Sequence, residues 1–446
     1  MKSKSIIFIF LSVLLLSQSC TEKFTPLLES PDQRVTDTLN KYAQVFANHE
    51  QYWQLDLPTR SGQFYSFLLK FEDESRVQML SEINQTYASV PMTSNYSLAA
   101  LMRPSIIFDT YNYLHLVSDP EPNVNDGDRG KGSAADFSFS FLGLHPDSIA
   151  LYGNFNKNYA GLTKLDAARA QRIVQGGWAQ TINRFTDYYS KSNFPYLQFD
   201  NSQLLIGLDT SKRKITFTPF ENGKTGPIQQ LGYAFDLDEV RFVKPLLYKG
   251  KSYKSLQWDE AQQNFYLLDG NTPVYLDNQT SYPANVQESL GYGKTYTYIQ
   301  INDHRLPYEI QSAFNDVWNN VKTKFKATGR AIQFASFRFS GPSEFQIIIN
   351  YSKADFFGDP TSENQFSSDC VFPVTYDGNQ FTLGEGTMSG NWEVHEKSFE
   401  PIKAYFENST FIKKWINSTN PAHNKLIMGA YQKINDPNDF VYGIAK

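Results

Sequence analysis

Hydrophobic positions along this chain follow two rhythms that alternate in blocks. An apolar run from Ile6 to Leu16 comes first and is too short to span a bilayer core as a helix. A polar stretch containing Pro26 and Pro31 follows. Leu39, Tyr42 and Phe46 are then spaced three and four apart, which predicts a short helix with one apolar stripe. From Tyr52 the rhythm changes to strands. Phe64 to Phe71 is nearly continuous apolar sequence of high β-propensity. Ile106–Phe108 and Tyr113–Val117 flank a turn at 109–112 and predict a strand pair. Phe137, Phe139 and Phe141 alternate with Ser138 and Ser140, the period-2 signature of a strand with one wet face. Ser148–Tyr152 follows the turn His145-Pro146-Asp147. Short strands separated by turn signals predict an antiparallel meander that closes into a barrel or sandwich.

Two further blocks repeat this order. Thr163-Lys164-Leu165-Asp166 has the form of a helix start. Val174, Trp178, Ile182, Phe185 and Tyr189 form an apolar stripe that Gly176-Gly177 should weaken or break. Strands are expected at 204–208, 215–218, 233–235 and 265–268, with hairpin tips at 221–224 and 248–251. In the last block Ile310, Phe314, Val317, Val321 and Phe325 predict another amphipathic helix. Hairpins are expected over Ser340–Ser343 and Asp377-Gly378-Asn379, helices at 399–406 and 411–416, and a strand at 426–431. The expected fold is α+β and β-rich, with antiparallel meanders each preceded by an amphipathic helix. The expected divisions are a signal peptide at 1–19, a tether at 20–33, and units at 34–160, 161–300 and 301–446.

Charge and composition narrow the classes. The chain has 446 residues, a net charge of −5 and 15% aromatic residues, 35 of them Phe. No basic footprint exists for nucleic acid, which is expected to be absent as a partner. Two cysteines exclude a disulfide scaffold. Cys20 closes the N-terminal pattern: Lys2 and Lys4, the apolar run, then Ser17, Gln18 and Ser19. This resembles a bacterial lipoprotein signal, cleaved between Ser19 and Cys20 with the Cys20 thiol acylated. Ser17 stands where such signals usually carry Leu. The resemblance implies membrane attachment through Cys20. Thr21, in place of an aspartate retention signal, directs the expectation to the outer membrane. Glu22 and Lys23 resemble export tags on surface lipoproteins of Bacteroidetes, so the cell surface is the expected location.

A family resemblance rests on Trp53, the run Phe64–Phe71, Ser94–Ser97, Ile106–Pro120 and Ala135–Asn154. These segments resemble an uncharacterised domain-of-unknown-function family of Bacteroidetes lipoproteins with a lipocalin-like N-terminal part. Its members are often encoded beside SusC/SusD-like transporters and zinc-binding metallopeptidases. The resemblance implies a binding or accessory role in a transporter complex, beside a TonB-dependent nutrient or metal uptake system. It supplies no catalytic residues.

Candidate chemistry is sparse. His49, His115, His145, His304, His395 and His423 form no H-x-H or H-E-x-x-H pair, so no metal site, cofactor or catalytic set is expected from motifs. Glu121 to Asp128 is oxygen-rich, but its Gly127 falls one position late for a calcium loop. Cys370 lies on a predicted strand and reads as a buried structural thiol. Asp236-Leu237-Asp238-Glu239 reads as a solvated acidic loop. The aromatics read mainly as core. Two alternatives stay open: a glycan-active hydrolase whose carboxylates meet only in the fold, and a metal-binding accessory protein.

Overall fold

A computed structural model describes residues 30–446 apart from 122–123, 125–129, 303–308, 362–364, 419–422 and 424. Cys20 and Ser19, most of the Glu121–Asp128 loop, and His304 lie outside the described residues. The fold is β-rich and antiparallel, and its sheets close on themselves.

Helix α1 (Pro31–Phe46) starts inside the expected tether, where Ser30 caps Gln33 N and Pro31 occupies the first turn. Strands β1 to β8 follow: Tyr52–Pro58, Phe64–Glu72, Arg76–Ser81, Met92–Ala100, Pro104–Phe108, Ser138–Leu144, Ser148–Gly153 and Tyr159–Lys164. They pair in sequence order, and β1 meets β8 to close a barrel. Its interior is filled by Trp53, Leu55, Phe67, Leu69, Phe71, Met79, Phe108, Phe139 and their neighbours. From α1, Tyr42 stacks on Phe141 at 3.6 Å and Phe46 meets Phe71 at 4.2 Å.

Two expectations fail in this ring. Tyr113–Val117 is not a strand but helix α2 (Tyr113–Ser118). The Asn112 carboxamide accepts from Leu114 N and His115 N, and this cap overrides the β-propensity of Tyr and Val. The outer face of β6 is not wet either. Ser138 and Ser140 are buried and bonded to Asn154, at 2.7 and 2.6 Å.

Asp166, not Thr163, caps the next helix, because Thr163 and Lys164 still belong to β8. The chain then forms α3 (Ala167–Val174) and α4 (Gly177–Lys191), broken at Gly176 with φ +90° as its glycines predict. Val174 falls off the buried stripe and is exposed. Strands β9 to β17 are Phe194–Phe199, Ser202–Asp209, Lys214–Glu221, Lys224–Thr225, Gln229–Asp236, Glu239–Tyr248, Lys251–Asp259, Asn264–Asp269 and Thr272–Gln279. Pairing of β10 with β11 and of β9 with β17 closes eight of these nine into a second antiparallel ring, with the two-residue β12 hanging on β11. Helix α4 lies across one end of it. Tyr189 Oη accepts from Leu208 N, and Arg184 binds Asp238 and Glu260.

After α5 (Val286–Ser289), β18 (Tyr298–Ile301) precedes α6 (Phe314–Lys326). Ile310 lies before this helix, which buries Phe314, Trp318, Val321 and Phe325. Strands β19 to β23 are Arg330–Gly341, Glu344–Lys353, Phe366–Asp377, Gln380–Leu383 and Thr387–Met388. Helices α7 (Gly390–Val394) and α8 (Glu396–Phe406) and strands β24 to β26 (Thr410–Ile416, Met428–Lys433, Phe440–Ala445) complete the chain. Pairing of β18 with both β19 and β26, and of β20 with β21, closes a third ring of eight. Residues 411–416, expected as a helix, form β24. Pairing with β25 along the whole of 411–416, and with β22 at 411 and 412, overrides local periodicity.

Candidate binding site at the junction of the first two rings

Strand β2 is buried on both faces. Phe67, Leu69 and Phe71 point into the first ring, while Leu68 packs in the core cluster of the second. This explains why Phe64–Phe71 reads as continuous apolar sequence rather than as an alternation. Polar groups at this seam are desolvated and need partners. Two ion-pair networks supply them.

In the first network Glu82 is fully buried. Its carboxylate accepts from Ser66 N and Phe235 N, both at 2.9 Å, and pairs with Arg213. Burial pushes the Glu82 carboxyl up, opposed by the Arg213 guanidinium and the two amides. Arg213 donates to Ile83 O at 3.0 Å and lies over the rings of Tyr65 and Tyr233, 4.8 and 5.2 Å from their centroids.

The second network centres on Asp236, only 1% exposed. Arg169 Nη2 donates to both its oxygens at 2.7 Å, Arg241 Nε lies 2.9 Å away, and Trp178 Nε1 donates at 3.3 Å. Arg241 also forms a bidentate pair with Asp56, 2.7 Å on each arm. Burial alone would raise Asp56, but Arg241, Gln54 and Ser66 override it and hold its carboxyl below the usual range. Asp238 pairs with Arg172 and Arg184. The reading of residues 236–239 as a solvated loop therefore fails at Asp236, while Asp238, in the turn between β13 and β14, keeps a side chain 42% exposed. The arginines that engage these acids come from α3, α4 and β14; those of α3 and α4 lie tens of residues away, at separations no local pattern reveals.

Beside Arg241 the ring wall opens. Strands β14 and β15 pair at Arg241↔Ser255 and again at Leu246↔Tyr253, so Phe242 to Pro245 stand opposite Lys254 alone. This wide bulge forms a cleft of about 480 Å³, walled by Phe64, Arg241, Phe242, Lys244, Lys254 and Gln257. Burial, and then the nearby Lys244, hold Lys214 below the ordinary lysine range. A second cleft of about 230 Å³ lies over Arg213, between Tyr65, Tyr87 and the turn at Thr210. Both sit at a junction of two units, where ligand clefts commonly form. The first offers ammonium groups above aromatic walls, a surface suited to a small anionic or amphipathic ligand.

The remaining sequence candidates disperse. His49 contacts Asp73 at 3.3 Å. His115 stacks between Tyr111 and Phe137, and burial lowers its pKa. His395 packs on Phe325 and Tyr351 in the third ring. His145 is exposed on the β6–β7 turn. Among the described residues no group of three His, Cys, Asp or Glu is placed to hold a metal ion. Cys370 is buried in the third ring's core, and burial pushes its thiol up to about 12.

No curated protein matches the chain in sequence. A family model described as Domain of unknown function (DUF4302) matches residues 24–260, which include the first ring and the second through β15. Solved structures resemble the chain only distantly. The β subunit from DNA polymerase of Streptococcus pyogenes shares 9% identity, with 88% of this chain and 91% of that chain covered and a TM-score of 0.14. The DNA polymerase III β subunit of Thermotoga maritima shares 9%, with 88% and 90% covered and a TM-score of 0.12. A lipopolysaccharide binding protein shares 9%, with 92% and 96% covered and a TM-score of 0.13. At those TM-scores none of these likenesses carries an argument about fold or function.

Proposed function

We propose a function from the premise that this chain belongs to the DUF4302 family, whose description names no chemistry. The protein is a lipid-anchored outer-membrane lipoprotein of the Bacteroidetes kind, facing outward. It works as a binding or accessory component beside a TonB-dependent nutrient or metal uptake system. One observation carries the reading: a basic start, an apolar run from Ile6 to Leu16, Ser19 and then Cys20, followed by a short polar stretch. Several acyl chains on one cysteine bury enough methylene groups for stable attachment.

The architecture favours binding over turnover. A lipocalin-like reading of the first unit is supported by its eight-stranded meander. Yet its interior is packed with side chains, which moves ligand contact to clefts outside the ring. The acids at the junction are engaged by arginines, and Asp56 is held in its ionised form, the opposite of what a general acid needs. This counts against a glycan hydrolase centred there.

Globomycin, or the Cys20→Ala substitution, should block processing and release the protein from membranes. Unchanged processing and membrane retention would sink the anchor. Protease shaving of intact cells should digest the chain from outside, and full resistance would place it on the periplasmic face.

A further inference from the structure

The hairpin of β4 and β5 extends past the end of β3 in the first ring. Pairing of β3 with β4 stops at Arg76↔Asn95, whereas β4 and β5 stay paired out to Ala100↔Pro104. The hairpin thus runs on beyond the β3 rim by roughly 15 Å at about 3.3 Å per residue. Its tip is Leu101-Met102-Arg103. Met102 is fully exposed and Leu101 is 51% exposed. On neighbouring β6, two residues beyond the last β5–β6 pair at Ser105↔Ser140, Leu142 is 45% exposed. Apolar side chains left in water at this rim cost free energy unless something covers them.

The chain itself indicates what covers them. Helix α1 lies against β4 and β5, with Tyr42 stacked on Phe141 and Phe46 against Tyr96. Its cap, Ser30, is ten residues from Cys20. A stretch of that length reaches at most about 35 Å. Helix α1 is therefore the first described element after the lipidated cysteine, and the strands of this hairpin are what it packs on.

We propose that the β4–β5 tip is a second membrane contact, with Leu101, Met102 and Leu142 seated in the bilayer interface and Arg103 at the phosphate level. The apolar–basic composition is the one interfacial segments use. One acylated residue leaves a protein free to swivel, whereas a second contact fixes which face of the three rings points outward. The inference rests on the lipoprotein reading above.

The test uses the full, acylated protein in phosphatidylethanolamine–phosphatidylglycerol vesicles. Met102→Cys carries an environment-sensitive fluorophore, and Phe356→Cys serves as the comparison. Phe356 is 95% exposed between β20 and β21 of the third ring. Buried Cys370 stays unlabelled in the folded chain. The label at 102 should shift to the blue, lose iodide quenching several-fold on vesicles and be quenched by lipid-borne nitroxide, while the label at 356 stays in water. Vesicle flotation with a water-exposed label at 102, or with 356 buried instead, overturns this inference and leaves the anchor intact. Failure to float overturns both. Leu101→Glu with Met102→Glu should keep flotation and folding but abolish protection of a label placed at Leu142→Cys.

Discussion

At the scale of single residues, the junction depends on charges that have left water. Asp236 is held by two arginines and an indole, so its removal takes the carboxylate from Arg169, leaves Arg241 with Asp56 alone and leaves the Trp178 indole without its acceptor. Asp236→Ala should cost about 3–5 kcal/mol, the usual range for breaking one side of a buried pair. Urea unfolding at pH 7 measures it, and a loss below about 1 kcal/mol would show the seam to be wet. Asp56 adds a pH dependence. Its folded pKa lies below the unfolded value, so its stabilisation is present above about pH 4 and fades as pH falls through the folded value. The stability gap between wild type and Asp56→Asn should therefore shrink between pH 5 and pH 2.5. A constant gap would mean Arg241 does not bias that carboxyl. Apart from Asp236 and Arg241 these partners lie far from one another in sequence, which is why Asp236 looked solvated.

At the scale of elements, caps and glycines outweigh periodicity. The α3–α4 break is fixed at two positions. A Cβ on Gly177 would lie 2.3 Å from Leu237 Cδ2 and 2.8 Å from Arg172 O. Gly177→Ala should destabilise by about 1–3 kcal/mol through overpacking, read as a lower midpoint in thermal melts. Strand β24 carries a different liability. Lys413 sits over the Phe339 ring at 4.8 Å. Burial, and then neighbouring Lys294, push its pKa down to about 8. That lies below the unfolded value of about 10.4, so between those pH values the unfolded chain binds the extra proton and stability rises with pH. Lys413→Met should stabilise at pH 7, and the gain should vanish near pH 10.5. A gain that does not change with pH would locate the effect in packing instead. The apolar spacing of 411–416 and the β-propensity of 113–117 both misled because neither records the partner: a strand register in one case, the Asn112 cap in the other.

At the scale of the molecule, three closed rings follow one another, and the first two share a dry interface through β2. Leu68 is 2% exposed, yet it faces away from its own ring. Leu68→Asp should therefore split the unfolding transition by uncoupling the rings while leaving the first ring's interior intact. Scanning calorimetry should resolve two steps in the variant against one merged transition in wild type, and a single shifted transition in the variant would mean the rings do not unfold separately. The second seam is aromatic. Tyr282, Tyr296 and Trp415 meet edge to face, with Trp415 Nε1 donating to Ala284 O at 2.6 Å.

The sequence by itself determined the local grammar: strands of alternating or continuous apolar residues, hairpins at Asn222-Gly223 and Asp377-Gly378, and a helix broken at Gly176. Those features depend on backbone preferences and on burial period, which neighbouring residues encode. Ring closure, the burial of Asp236 and Glu82, and the cleft at the β14 bulge belong to the tertiary structure alone. Each requires groups tens to more than a hundred residues apart to exclude water from one another, and desolvation has no signature until the partners meet.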